Sequence, residues 1–169
     1  FANGGVDWQG EDHMIDMVGD VDGLELLDTC CACDAVQAFS WHNMGARVTA
    51  CDIAPKAIEI ARANAVRMGL GLRFIVADMQ KLEPIEDDRF DIVFATYPCW
   101  IQDLNEACGN WRRVLKPDGR LLLNMSHPLA DCMEVVGNRL VVNRNYNRPG
   151  AVRQEVFDGT GVSDRFGGW

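Results

Sequence analysis

Long apolar runs are missing from this 169-residue chain, and none approaches the roughly 18 residues that a membrane-crossing helix needs. Basic residues are also few: 16 Lys and Arg stand against 25 Asp and Glu, for a formal charge of −9. No basic stripe is left to neutralise a phosphate backbone, which argues against a nucleic-acid partner and favours a small molecule. The opening FANGGVDWQGEDH lacks the basic-then-apolar order of a signal peptide, so a soluble, cytoplasmic protein with no membrane partner is expected. Glycine is absent at one telling place. In LELLDTCCACDAVQAF, residues 24–39, an apolar run ends in Asp28 and leads into Cys30, Cys31 and Cys33, where a nucleotide-binding turn would carry glycines. No G-x-G-x-x-G follows that run, and a nicotinamide-dependent oxidoreductase therefore fits poorly.

What is present is ordinary globular material, 48% hydrophobic and 24% charged, enough for a sizeable core. Seven cysteines make an odd count, and three packed into four positions do not form a local disulfide framework, so reduced thiols are expected. A metal held by Cys30, Cys31 and Cys33 would need a fourth ligand, and small apolar fillers account for the three side chains, so no metal is expected. The chain begins on Phe1 and ends on GVSDRFGGW with no element to close it, which reads as a fragment.

Short apolar runs alternate with helical patterns: GLELLD, AVQAFSWHNMG, ARVTACD, PKAIEIARANAVRMG and LRFIVAD. This is βαβαβ order. In the second helical pattern Ile58, Ala61, Ala65 and Met68 recur at helical spacing, Pro55 opens the first turn and Gly69 follows as a stop. Further on, FDIVFAT (90–96) reads as a buried strand, residues 103–115 as an amphipathic helix, KPDG as a turn and RLLLNMS (120–126) as a fifth strand. The strands are continuous apolar runs, so both faces of the sheet are covered and helix-length crossovers make neighbours parallel. The expected fold class is α/β, a three-layer doubly wound, mostly parallel sheet with a β-hairpin insertion after the fifth strand. That hairpin is predicted over 133–146 about Gly137-Asn138, with a loop-like stretch after it.

Ligands of such sheets bind beyond the carboxyl ends of the strands, near the switch in strand order. The first three strands end in Asp28, Asp52 and Asp78, and the fourth in Thr96-Tyr97-Pro98. A carboxylate at the second strand's tip can accept both hydrogen bonds of a ribose diol, so Asp52 is the first candidate for a nucleoside. Asp28 serves equally well as a cap for the loop after it. His127-Pro128 follows the fifth strand directly, which makes His127 a candidate general base, with a hydrogen-bonded loop histidine as the alternative. His13 reads as a helix-surface residue, His42 as structural, and Trp100 as either core or pocket lining.

Between about residues 24 and 128 the sequence resembles the class I S-adenosylmethionine-dependent methyltransferases, in particular the small-molecule branch known as methyltransferase type 11 or 25. LELLDTCCACDA stands at the first motif, GARVTACDIAPKAIEIARANA at the ribose-binding strand, FIVADMQKL at the adenine-binding strand, and WRRVLKPDGRLLL before the fifth strand. The resemblance implies a Rossmann-like methyltransferase fold with S-adenosylmethionine across the first three strand tips and S-adenosylhomocysteine as the product. It places Asp52 on the ribose, Ile53 against the adenine face, Asp78 and the Met79 backbone at the adenine edge, and Asp28 and Tyr97 near the methionine end. The departure lies in the first motif, where the family's glycines fall at Cys30, Ala32 and Asp34. Small side chains at negative φ would still leave room for a cofactor that lacks a pyrophosphate. Residues 1–169 then read as a single domain, with 1–23 a cap segment, 24–128 the cofactor-binding core and 129–169 an insertion or acceptor-side segment. The expected activity is methyl transfer to O or N of a small-molecule acceptor. A methyltransferase-like domain that binds cofactor without chemistry is the alternative.

Overall fold

The structure is a computed structural model that describes residues 1–8, 13–96, 98, 101–125, 127, 129–145, 152–157 and 163–168. The chain divides into two compact units, one of Phe1–Thr96 with Ile101–Asn124, the other of Tyr97–Trp100 with Met125–Trp169.

The first unit opens with α1 (His13–Val18) and then alternates β1 (Glu25–Asp28), α2 (Val36–Asn43), β2 (Arg47–Asp52), α3 (Pro55–Met68), β3 (Arg73–Val76), β4 (Phe90–Thr96), α4 (Leu104–Val114) and β5 (Leu115–Asn124). The five strands form one parallel sheet in the order β3-β2-β1-β4-β5. Strand order therefore reverses between β1 and β4, which puts the switch beside Asp28. Two buried clusters cover the two faces, as the continuous apolar strands require. One gathers Met14, Phe39, Trp41, Ile58 and Ala61 from α1, α2 and α3. The other gathers Leu82, Ile85, Ala107, Trp111 and Val114 from α4 and the segment before β4. The expected three-layer doubly wound α/β class is the one observed.

Local chemistry sets the helix ends. Pro55 opens α3 and Gly69 closes it at φ 70°, the left-handed stop that glycine adopts at little cost. Asp103 caps α4, its carboxylate accepting the Asn105 and Glu106 N–H groups. The N-terminal segment packs on α2, with Trp8 edge-on to Trp41 at 4.4 Å and Asn43 Nδ2 donating to Phe1 O at 2.9 Å.

The KPDG segment departs from its predicted role. It is not a turn before β5 but an irregularity within it: Phe90 pairs with Leu115 and Ile92 already with Arg120, so residues 116–119 are accommodated opposite Asp91 alone. Lys116 Nζ bonds Asp91 Oδ2 at 2.7 Å, and the same oxygen accepts the Glu25 N–H at 2.9 Å. Partial burial works upward on the Asp91 carboxyl, yet these two bonds and the charges of Lys116 and Arg47 hold it below its usual range. At Gly119 an added Cβ would lie 2.9 Å from Phe90 O, so close backbone approach explains this glycine.

In the second unit, β6 (Met133–Val136) and β7 (Arg139–Val142) pair antiparallel about Gly137 at φ 62° and Asn138, the hairpin expected from the sequence. The stretch read as loop-like contains a second antiparallel pair, β8 (Val152–Phe157) and β9 (Ser163–Gly168). Its Gly-, Asp- and Arg-rich sequence has no clean alternation, so pairing rather than pattern defines these strands. No helix among the described residues is long and apolar enough to cross a membrane.

Candidate functional site

The three strand-tip acids behave alike in one respect. Asp28 Oδ1 accepts the Cys30 N–H at 3.2 Å, Asp52 Oδ1 the Ala54 N–H at 2.9 Å, and Asp78 Oδ1 the Gln80 N–H at 2.8 Å. Each aspartate thus turns the chain two residues on and leaves its strand at a fixed angle. Of the two roles weighed for Asp28, the loop cap is made by Oδ1, through the Cys30 N–H.

Asp52 does more than turn the chain. Its Oδ2 accepts the Ala32 N–H at 3.0 Å, so the tip of β2 holds the loop that follows β1. Each carboxylate oxygen has a second lone pair, which leaves capacity for two hydroxyl donors. The loop is tied on both sides: Cys31 N–H donates to Cys51 O at 2.9 Å, while Thr29 N–H and Oγ1 both donate to Phe94 O on β4.

That loop corrects the expectation of negative φ. Ala32 stands at φ 55° and Ala35 at φ 47°, both in the left-handed region; neither Cys30 nor Asp34 does. The backbone keeps the shape that glycine would give it, held by the Asp52 bond, at a strain of about 1–2 kcal/mol per alanine. Ala32 is exposed and Ala35 fully buried. Ala32→Gly is therefore expected to raise unfolding stability by about 1 kcal/mol. Ala35→Gly should be nearly neutral, because relief of strain is offset by about 0.8 kcal/mol of lost methyl burial. Urea denaturation of the two variants distinguishes these outcomes.

Around the acids, Ile53 is 68% exposed, an apolar side chain left in solvent beside a carboxylate that is itself buried. Met79 is buried, and its carbonyl accepts the Trp111 Nε1–H at 3.0 Å. Gln80 Oε1 accepts the N–H groups of Gln102 and Asp103, and its Nε2 donates to Glu106. The turn after β3 is thereby fastened to the start of α4, a support that sequence reading missed because Gln80 lies 22 to 26 positions from Gln102, Asp103 and Glu106. Asp34 and Cys33 are exposed, and Cys30 is half-buried. Burial, with the Asp28 charge next, pushes the Cys31 and Cys51 thiols well above their usual range, so neither is a nucleophile. Among the described residues no cluster of His, Cys, Asp or Glu could hold a metal ion.

Asp28 itself is 1% exposed, and its Oδ2 has no hydrogen-bond partner among the described residues. Burial pushes its carboxyl up to about 7; the Cys30 N–H works against this, and the Asp52 and Asp34 charges add to it. A buried oxygen without a donor among the described residues, with the charges of Asp52 and Asp34 acting on the same carboxyl, suits a ligand that brings positive charge.

His127 belongs to the second unit, where it is exposed and its Nδ1 accepts the Leu129 N–H at 3.1 Å. Tyr97, Trp100 and Pro128 lie outside the described residues. His42 sits on α2, half-buried, its Nδ1 without a partner among the described residues.

A parallel sheet in 3-2-1-4-5 order with three turn-forming acids at its first tips is an α/β arrangement able to hold a nucleoside. Residues 27–123 match the methyltransferase domain family, and the chain belongs to that family, which depends on S-adenosylmethionine. It is 31% identical over 114 residues to the sterol 4-C-methyltransferase strm-1 of Caenorhabditis elegans, covering 66% of this chain and 34% of that protein. It is 33% identical over 103 residues to the mitochondrial 2-methoxy-6-polyprenyl-1,4-benzoquinol methylase of Homo sapiens, covering 52% of this chain and 31% of that one. The chain thus spans about a third of the length of these curated relatives. Among solved structures, an S-adenosylmethionine-dependent methyltransferase from Mesorhizobium loti shares the fold at a TM-score of 0.73 and 22% identity, over 89% of this chain and 69% of that chain. The PH0226 protein of Pyrococcus horikoshii OT3 superposes at 0.60 with 27% identity, over 69% and 57% of the two chains.

Proposed function

We propose that this chain binds S-adenosylmethionine across the tips of β1, β2 and β3, and that the protein transfers the methyl group to O or N of a small-molecule acceptor. The observation that carries the reading is the Asp52 carboxylate, buried at the second tip, bonded to the loop after β1 and still able to accept a ribose diol. The cofactor supplies a methyl group on a sulfonium, open to in-line displacement. The chain's own part is to hold and to align. Asp52 fixes the ribose, the exposed face of Ile53 packs against the base, and Asp78 with the Met79 turn meets the base edge. Cys30, Ala32 and Asp34 border the loop, and Asp28 serves the amino-acid end. Burial of the Asp28 and Asp52 carboxyls excludes water there and makes their polar contacts stronger than in solvent.

Small-molecule acceptors are supported by the relatives, whose names give a sterol and a polyprenyl benzoquinol. A cytoplasmic location is supported by the cysteines, of which six are described and all are thiols.

His127 is assigned to deprotonation of a hydroxyl acceptor. Its Leu129 bond selects the tautomer with the proton on Nε2, so base action requires that bond to be surrendered. His127→Ala should lower turnover roughly tenfold or more while leaving S-adenosylhomocysteine affinity unchanged. Equal turnover would remove His127 from the mechanism. The activity itself is tested by incubating the chain with methyl-labelled S-adenosylmethionine and a sterol, a polyprenyl hydroquinone or a metabolite extract. Label in an acceptor supports the proposal; cofactor binding with no label transferred would make this a binding domain without chemistry.

A further inference from the structure

Of the three strand-tip acids, Asp28 is the most deeply enclosed, and only one of its two oxygens has a donor among the described residues. Its Oδ1 has the Cys30 N–H, but its Oδ2 is buried without a donor among the described residues. The elements packed around it bring acids and thiols. From β2 come Asp52 and Cys51, from the loop Cys30, Cys31 and Asp34, and from β4, at the paired position, Phe94. Thr96, at the end of β4, is buried and carries no charge. Among the described residues, no Lys, Arg or His is one of the groups that act on it. A carboxylate in such a place is removed from solvent, keeps one N–H donor and has the acids Asp52 and Asp34 as its charged neighbours, which favours the neutral acid.

We propose that Asp28 holds a proton in the ligand-free protein and releases it to solvent when a ligand carrying a positive centre enters the cradle, so that binding there is coupled to the loss of one proton. This rests on the assignment of the cradle to S-adenosylmethionine-type ligands. The O–H bond of the acid breaks, the proton passes to the buffer, and the incoming cation takes over the neutralisation of the carboxylate. The ammonium group of S-adenosylhomocysteine is such a centre. The neutral nucleoside 5′-methylthioadenosine carries none.

The direction in pH follows from the free-state carboxyl, which is pushed up to about 7. Below that value binding must first remove a proton, so affinity falls as pH falls; above it the carboxylate is already formed and affinity levels off. S-adenosylhomocysteine should bind roughly tenfold more weakly at pH 6 than at pH 8, with close to one proton released at pH 6 and almost none at pH 8. Calorimetric titration at both pH values, each in two buffers of different ionisation enthalpy, reads affinity and proton count together.

Three controls separate the outcomes. 5′-Methylthioadenosine should bind without pH dependence and without proton release; the same dependence for both ligands would assign the proton to another group and overturn the inference. Asp28→Asn keeps the Oδ1 bond and removes the titration, so its residual S-adenosylhomocysteine affinity should be flat between pH 6 and 8. A wild-type affinity that is flat over that range would overturn the proton coupling and leave the cofactor assignment standing. No binding of either ligand at any pH, in protein with a cooperative thermal transition, would overturn the assignment itself and the coupling with it.

Discussion

Asp52→Ala is expected to weaken S-adenosylhomocysteine binding at least a hundredfold, a loss of about 3 kcal/mol. Two effects add. The variant removes a charged acceptor for the ribose diol, worth about 1.5–3 kcal/mol per bond. It also leaves the Ala32 and Ala54 N–H groups without their partner, which frees the strained loop after β1. Asp52→Asn offers a way to divide the two, because the amide keeps one acceptor oxygen for one of the two N–H groups and loses the charge. Its affinity should fall between those of wild type and Asp52→Ala. Affinity of Asp52→Ala within about twofold of wild type, less than about 0.5 kcal/mol, would show that β2's tip does not carry the ribose.

The second large effect is on stability. Trp111→Ala should cost about 3–5 kcal/mol, as expected for truncating a fully buried aromatic side chain. Trp111 fills the cluster between α4 and the sheet and donates Nε1–H to Met79 O, so its loss opens a cavity and leaves a buried carbonyl unsatisfied. Trp111→Phe retains most of the ring and should cost about 1 kcal/mol for the missing hydrogen bond together with a small packing loss. Chemical denaturation gives both values. Equal costs for the two variants would show that the bond to Met79, rather than the packing, dominates.

The element order was legible because its signals are local. The spacing of Ile58, Ala61 and Ala65, the opening Pro55 and the closing Gly69 define α3 without reference to anything distant, and the observed helix is Pro55–Met68. Continuous apolar runs identified a sheet covered on both faces, and the terminal acids of β1 and β2 fell where those runs stop. What was not legible depends on partners far away in sequence. Alanine in the left-handed region contradicts its own preference, and only the Asp52 carboxylate, twenty positions on, explains why Ala32 adopts it. The irregularity at 116–119 follows from its pairing with β4, since four residues must fit opposite one. The β8–β9 pair arises from mutual hydrogen bonding between segments whose composition reads as loop.

The site was legible to a similar depth. Aspartates after strands signal ligand chemistry and turn chemistry alike, and here each of Asp28, Asp52 and Asp78 also makes the turn bond two residues on. The difference between them is burial and the fate of the second oxygen, which no spacing encodes. Gln80 gave no signal at all, because its importance comes from bridging the Asp78 turn to α4.

The most direct test of the central claim is calorimetric titration of the chain with S-adenosylhomocysteine beside NAD. Micromolar, one-to-one binding of S-adenosylhomocysteine with no heat from NAD is the predicted result. Binding of NAD, or no binding of S-adenosylhomocysteine by protein that unfolds cooperatively, would contradict it.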